Sequence, residues 1–282
     1  MPFGAWRVTA PGAGGIGTKR AMPTTMQTTE LRPQNYKDHR PAEYFQRFHE
    51  RARTHDVGWT YSLVRVIATP IAALPYRARA IEAENVPASG PVILASNHFS
   101  NMDHFLAGIY LRRKIRFMAK SQLFGNPIGN YIFSVGGVFP VRRGHADEEA
   151  FKTVEAIFER GGCMMIYVEG GRSRDGKLGT VRPGVGRAAL ASGVPVVPVA
   201  IHGSQGIRRR KGLNFPKVTV QYGKPRSFDV VESPTREQQL ECAEEVFAEI
   251  RQMYTELESE GRAGVIKRLR DRKGASSSPS YS

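Results

Sequence analysis

The run Ala95-Ser96-Asn97-His98-Phe99-Ser100-Asn101-Met102-Asp103 sets a histidine and an aspartate with four residues between them. An apolar stretch precedes the run and a helical pattern follows it, so both residues fall at the carboxyl end of a strand, where α/β sheets build their sites. At this spacing the carboxylate can turn back through the first helical turn and accept the imidazole N–H. That contact orients the ring and stabilises its protonated form, which suits His98 to act as a general base near neutral pH. The same pair also reads as a helix-capping Asp beside a partly buried His. Cations follow two further apolar runs, in Gly137-Val138-Phe139-Pro140-Val141-Arg142-Arg143 and in Glu169-Gly170-Gly171-Arg172-Ser173.

Taken together these runs resemble the ordered blocks of the glycerolipid acyltransferases, the 1-acyl-sn-glycerol-3-phosphate (lysophosphatidate) acyltransferase family. Asn97-His98 with Asp103 is similar to that family's NHxxxxD block, and the run ending in Arg142 to its second block, a strand ending in a phosphate-binding Arg. Glu169 to Ser173 resembles the third block, usually written EGTRS, and Val194-Pro195-Val196-Val197-Pro198-Val199 the fourth. Lys120 matches a family lysine that contacts the acceptor phosphate. The resemblance covers residues 91–203 and departs from the pattern twice: Gly171 stands where Thr is usual, and Val168 where Pro is common. Both departures touch the acceptor-binding block and leave open another lysolipid or a glycolipid as acceptor.

The resemblance implies that His98 and Asp103 are catalytic and that Lys120, Arg142, Glu169, Gly170 and Arg172 bind substrate. A fatty acyl group would pass from acyl-CoA or acyl carrier protein, as co-substrate, to the free hydroxyl of 1-acyl-glycerol-3-phosphate, with no cofactor and no metal. A glycerol hydroxyl is a poor nucleophile, so a base must take its proton as it attacks the thioester; a positioned His contributes about 10²–10⁴-fold. No Ser or Cys sits in a nucleophile-elbow sequence, which points to direct transfer in a ternary complex. Guanidinium groups bind phosphate oxygens through paired N–H bonds, so Arg142 and Arg172 suit a phosphomonoester. On the residues alone, Arg172 also reads as a salt-bridge partner of Glu169, and Lys120 as a solvated lysine. Asp175-Gly176 is a turn signal, Arg182 stands where the family has a further basic residue, Arg143 would point away from Arg142, and the run from Arg208 to Lys211 reads as a solvated face or an anionic-lipid contact.

These residues need a sheet to hold them. Short β-rich runs at 80–84, 92–96, 116–119, 137–141, 164–168, 194–200 and 217–222 predict about seven strands. Helical patterns, such as those at 148–160 and 184–192, separate most of them, and Thr235 with Gln238 forms a capping box that opens a long helix. The expected fold class is therefore α/β: a single mostly parallel or mixed sheet covered by helices, preceded by an amphipathic helical segment. Within residues 57–75, Trp59, Leu63, Ile67, Ile71 and Leu74 recur at helical spacing, as an interfacial membrane helix or as a core-packing helix kinked by Pro70. The expected organisation is a disordered stretch over 1–40, a helical membrane-associating segment over 41–76, an acyltransferase domain over 77–262 and a basic, Ser-rich tail over 263–282.

Forty-one Lys and Arg against 26 Asp and Glu give a formal charge of +15, which calls for anionic partners. No helix-turn-helix, RNP-like or zinc-finger pattern supports nucleic acid, so the expected partners are a lysophospholipid, the acyl donor and an anionic membrane surface. Two cysteines in no recognisable spacing fit a reducing compartment, and no run of about eighteen apolar residues is present. The expected location is the cytoplasmic face of a membrane, peripheral or monotopic. A reading from a different class is a basic lipid-binding protein with a vestigial His/Asp pair.

Overall fold

The computed structural model describes residues 38–142, 147–173, 175–208 and 214–276. Seven strands, β1 (Arg79–Ile81), β2 (Val92–Ser96), β3 (Ile115–Lys120), β4 (Val138–Val141), β5 (Cys163–Tyr167), β6 (Val196–His202) and β7 (Thr219–Tyr222), form one sheet in the order β1-β7-β6-β2-β5-β3-β4. Every neighbouring pair is parallel except β6 with β7. The central strands are covered on both faces, which explains their unbroken apolar runs. Along β2, Ile93 and Ala95 enter one core cluster, while Val92 and Leu94 enter the other.

Eight α-helices accompany the sheet among the described residues: α1 (Glu43–Thr54), α2 (Trp59–Ala73), α3 (Asp103–Gly108), α4 (Pro127–Val135), α5 (Glu148–Glu159), α6 (Gly184–Ser192), α7 (Arg236–Ser259) and α8 (Gly261–Ser276). Helices α5, α6 and α7 bury their apolar stripes on one face of the sheet, and α2 and α3 cover the other. The α6–α7 contact is close enough that a Cβ on Gly186 would lie 1.8 Å from the Gln239 carbonyl oxygen. The capping box is formed: Gln238 N–H donates to Thr235 Oγ1 at 3.2 Å and Thr235 N–H to Gln238 Oε1 at 2.9 Å.

Helices α1 and α4 close the β4 edge through Phe45, Phe48, Phe124 and Phe133. At the opposite edge, α8 packs Val265 and Leu269 on Ile81 and Leu257. Arg262 of α8 donates to Thr219 Oγ1, Val218 O and Arg77 O. The residues from 263 to 276, expected as a tail, are therefore a docked helix; their charges surround a narrow apolar seam that composition conceals. The first strand is shorter than the expected 80–84 because Glu82 adopts φ +56° and ends it. Most of the stretch expected to be disordered, residues 1–37, lies outside the described residues, as do Arg143, Arg174 and residues 209–213.

Pro70 lies inside α2, and the predicted apolar stripe points outward. Trp59, Leu63, Ile67, Ile71 and Leu74 are 47–75% exposed, while Thr60 and Ala72 are the buried residues of the helix. Leu123, in the turn before α4, and Ile128, Tyr131 and Ile132 along that helix are also exposed. No helix among the described residues is long and apolar enough to cross a membrane.

Candidate active site

The carboxyl ends of β2, β5, β3 and β4 lie side by side, and each carries a residue singled out by the sequence. His98 follows β2. Its Nδ1 lies 2.9 Å from Asp103 Oδ2, and the same oxygen accepts the N–H groups of Phe99 at 2.7 Å and Ser100 at 2.8 Å. Asp103, at the first position of α3 and fully buried, thus holds both the ring and the turn that presents it. A carboxylate at Nδ1 makes that nitrogen the donor and leaves the basic lone pair on Nε2.

Asn97 extends the sheet beyond β2: its Nδ2 donates to Ile201 O at 2.9 Å and its Oδ1 accepts Ile201 N–H at 2.8 Å. Glu169, 2% exposed, spends its carboxylate on backbone, accepting His98 N–H at 3.2 Å and Gly179 N–H at 2.8 Å. Burial pushes its carboxyl up to about 7, against the opposing pull of those two amides. Gly170 has φ +64°, and a Cβ there would meet Arg182 Cγ at 3.0 Å. The Asp175-Gly176 turn forms as expected, with Asp175 Oδ1 accepting from Ser173 Oγ and Lys177 N–H.

Lys120 ends β3 opposite Val141 of β4, and Arg142 follows directly. The Arg142 N–H donates to Asp147 Oδ2 at 2.7 Å, and its Nε is buried without a hydrogen-bond partner among the described residues. Arg172 is near enough to His104 for its charge to lower that imidazole's pKa, although burial and the neighbouring His98 are the larger causes; together they bring it to about 4. The fold thus gathers the ends that carry His98, Asp103, Lys120, Arg142, Glu169, Gly170 and Arg172 into one region. Two of these, Glu169 and Gly170, shape the loop.

Two residues in the site escaped the sequence reading. Tyr167 stacks on His98 with ring centroids 3.8 Å apart, and His104 meets His98 edge-on at 5.2 Å. Tyr167 arrives by register, pairing with Ser96 across the sheet, and His104 by its place beside Asp103 in α3. His104 also lines an apolar cavity of about 300 Å³ whose walls include Val64, Phe105, Ile109, Phe117 and Phe133. Among the described residues, no group of three or more His, Cys, Asp or Glu is placed to hold a metal.

Residues 77–202 match the family model described as Acyltransferase. That stretch of the chain is similar to the acyltransferase family. Over 124 residues the chain is 32% identical to a chloroplastic 1-acyl-sn-glycerol-3-phosphate acyltransferase of Brassica napus, a stretch covering 43% of this chain and 36% of that one. A 1-acyl-sn-glycerol-3-phosphate acyltransferase of Bacillus subtilis is 26% identical over 180 residues, 62% of this chain and 87% of the relative. The chain spans about a third of the length of the chloroplastic relatives from Brassica napus and Arabidopsis thaliana. The crystal structure of the 1-acyl-sn-glycerophosphate acyltransferase from Thermotoga maritima shares the fold, with a TM-score of 0.53 and 22% identity over 77% of this chain and 89% of that one. The candidate site residues His98, Asp103, Lys120, Arg142, Glu169, Gly170 and Arg172 all lie within the matched stretch.

Proposed function

We propose that this acyltransferase moves a fatty acyl group from the thioester of coenzyme A or acyl carrier protein to the free glycerol hydroxyl of 1-acyl-glycerol-3-phosphate, giving phosphatidate. The observation that carries the reading is the buried His98–Asp103 pair, with the neighbouring His104 lining an apolar cavity and Lys120 and Arg142 at the ends of parallel strands of the same sheet. The hydroxyl proton passes to His98 Nε2 as the oxygen attacks the thioester carbonyl carbon. Asp103 steadies the resulting imidazolium. When the tetrahedral intermediate collapses, the carbon–sulfur bond breaks and the proton on Nε2 goes to the departing thiolate. Arginines near the base fix the acceptor phosphate bidentately, and the cavity takes the apolar chain.

The exposed apolar residues of α2 and α4 support a bilayer as the protein's working surface, because a patch of this kind marks an interaction site and flanking basic residues attract anionic headgroups. Gly171, in place of the usual Thr, supports a second reading with a different lysolipid or glycolipid acceptor. Thiol release measured across a panel of acceptors and both donors tests these readings. His98→Ala, shown folded by circular dichroism, should lose at least about a hundredfold in kcat. A variant that keeps more than about a tenth of the native rate sinks the proposed base, and release with a lysolipid other than lysophosphatidate alone moves the acceptor assignment.

A further inference from the structure

Helix α1 carries two arginines that the active site does not use. Arg47 and Arg51 stand four residues apart, one turn above the other, a spacing at which like charges repel. Neighbouring arginines are matched by acids: Arg53 with Glu149, and Arg40 with Asp38. Arg47 and Arg51 pair with no carboxylate among the described residues. Arg47 lies over the rings of Tyr44 and Phe48, at 5.1 and 4.6 Å, and Arg51 Nε is buried with no hydrogen-bond partner.

Both side chains line a groove of about 380 Å³ between α1 and α4, walled on the α4 side by Asn130, Tyr131 and Ser134. Asn130 is 6% exposed, and its Oδ1 is likewise without a partner. Leaving a buried donor or acceptor unmatched is costly, and here one of each belongs to a residue lining the same groove, beside two arginines that pair with no carboxylate among the described residues. The chemistry that answers all three is an anion that also carries a hydroxyl. Tyr131 joins this groove to the exposed apolar residues Ile128 and Ile132 on the same helix. Charge therefore adjoins apolar surface in the order of a bilayer's headgroup and acyl layers.

We infer that the α1–α4 groove binds the headgroup phosphate of an anionic bilayer glycerophospholipid, held between Arg47 and Arg51, with a headgroup hydroxyl reaching Asn130. The inference rests on the membrane reading above and adds to it a specific lipid site that shares no lining residue with the proposed acyl-chain cavity. A lipid is favoured over a free anion because the apolar residues beside the groove accept its chains.

The test is co-sedimentation of the full chain with phosphatidylcholine vesicles, with and without phosphatidylglycerol. Arg47→Gln with Arg51→Gln should weaken binding to the mixed vesicles about thirtyfold and leave binding to pure phosphatidylcholine unchanged. The control, Lys224→Gln with Lys267→Gln, removes two exposed charges elsewhere and should weaken it less than about threefold. Equal weakening by the two pairs overturns the site and leaves the membrane reading standing. A native chain that sediments with neither vesicle overturns both. If the Gln pair melts early, Arg47→Lys with Arg51→Lys decides, since it keeps the charge and loses the two-pronged grip: several-fold weaker binding supports the site, and native binding overturns it.

Discussion

Tyr167 lies face to face on the His98 imidazole, centroids 3.8 Å apart and planes 14° from parallel. Asp103 fixes one edge of the His98 ring, and Tyr167 fixes its plane. Burial raises the Tyr167 pKa well above its ordinary value, so the phenol stays neutral. Its electron-rich face favours the imidazolium that forms when His98 takes the hydroxyl proton.

Tyr167→Phe keeps the stack and should keep most of the activity. Tyr167→Leu fills similar space without a π face and should lower kcat by about tenfold, the equivalent of an aromatic pair worth about 1.4 kcal/mol. The acid limb of the pH–rate profile should also move to lower pH, because the imidazolium loses stabilisation. A Leu variant with a native profile would leave Tyr167 as packing alone.

Glu169 provides a pH test of the site's loop. Its carboxyl is raised from 4.5 to about 7 in the fold, so the native state binds a proton that the unfolded chain has already released. Stability from this group is full below the unfolded value and is lost as pH rises through about 7, on the order of 3 kcal/mol. The melting temperature of the native chain relative to Glu169→Gln, which does not titrate, should therefore fall between pH 4.5 and 7.5. A difference that stays flat over that range contradicts the raised carboxyl.

Gly108 lines the apolar cavity, and a Cβ there would lie 3.2 Å from Tyr61 Oη and 3.7 Å from Ile115 Cδ1. Gly108→Val should take up space for roughly two methylenes of acyl chain and cost the longest donor about tenfold in kcat/KM, at about 0.8 kcal/mol for each methylene. Shorter donors should be nearly unaffected. Thiol release with a ladder of saturated donors checks this, and an unchanged ranking would send the chain elsewhere.

Trp59 and Leu63 are 61% and 47% exposed, so Trp59→Asp with Leu63→Asp should leave the thermal melt near native. Removing two apolar side chains from a lipid interface, each worth about 1.5–3 kcal/mol when buried, should reduce phosphatidylcholine binding by about a hundredfold or more. A collapsed melt would return α2 to a packing role.

Much of this fold is legible in the chain because buried parallel strands are continuous apolar runs, as at Val92–Ser96, and because Pro183 and the Thr235–Gln238 box mark two helix starts. Helix α4 is not legible. Its Pro127–Val135 stretch contains glycine, β-branched and aromatic residues, and several apolar ones face outward, so no inward stripe appears. Helix α8 hides its seam among charges. Within the site, His98 and Asp103 are readable because their contact is local. Tyr167 reaches His98 only through the β2–β5 register, and Glu169 reaches the His98 backbone only after the loop folds back, so neither relationship is expressed in spacing.

The segment bearing His98 is hooked into its surroundings on both sides. Asn97 exchanges two hydrogen bonds with Ile201, His98 N–H donates to Glu169, His98 O accepts Ser173 N–H at 2.8 Å, and Ser96 O accepts Val168 N–H at 2.9 Å. The base therefore cannot fray independently: exposing it to solvent means parting the middle of the sheet. Its backbone amides belong with the last of the molecule to exchange hydrogen, while the outer helices α2 and α4, which roof the cavity, can open at lower free energy. Turnover can then be limited by how often that roof parts, with the proton-transfer geometry already set before any substrate arrives.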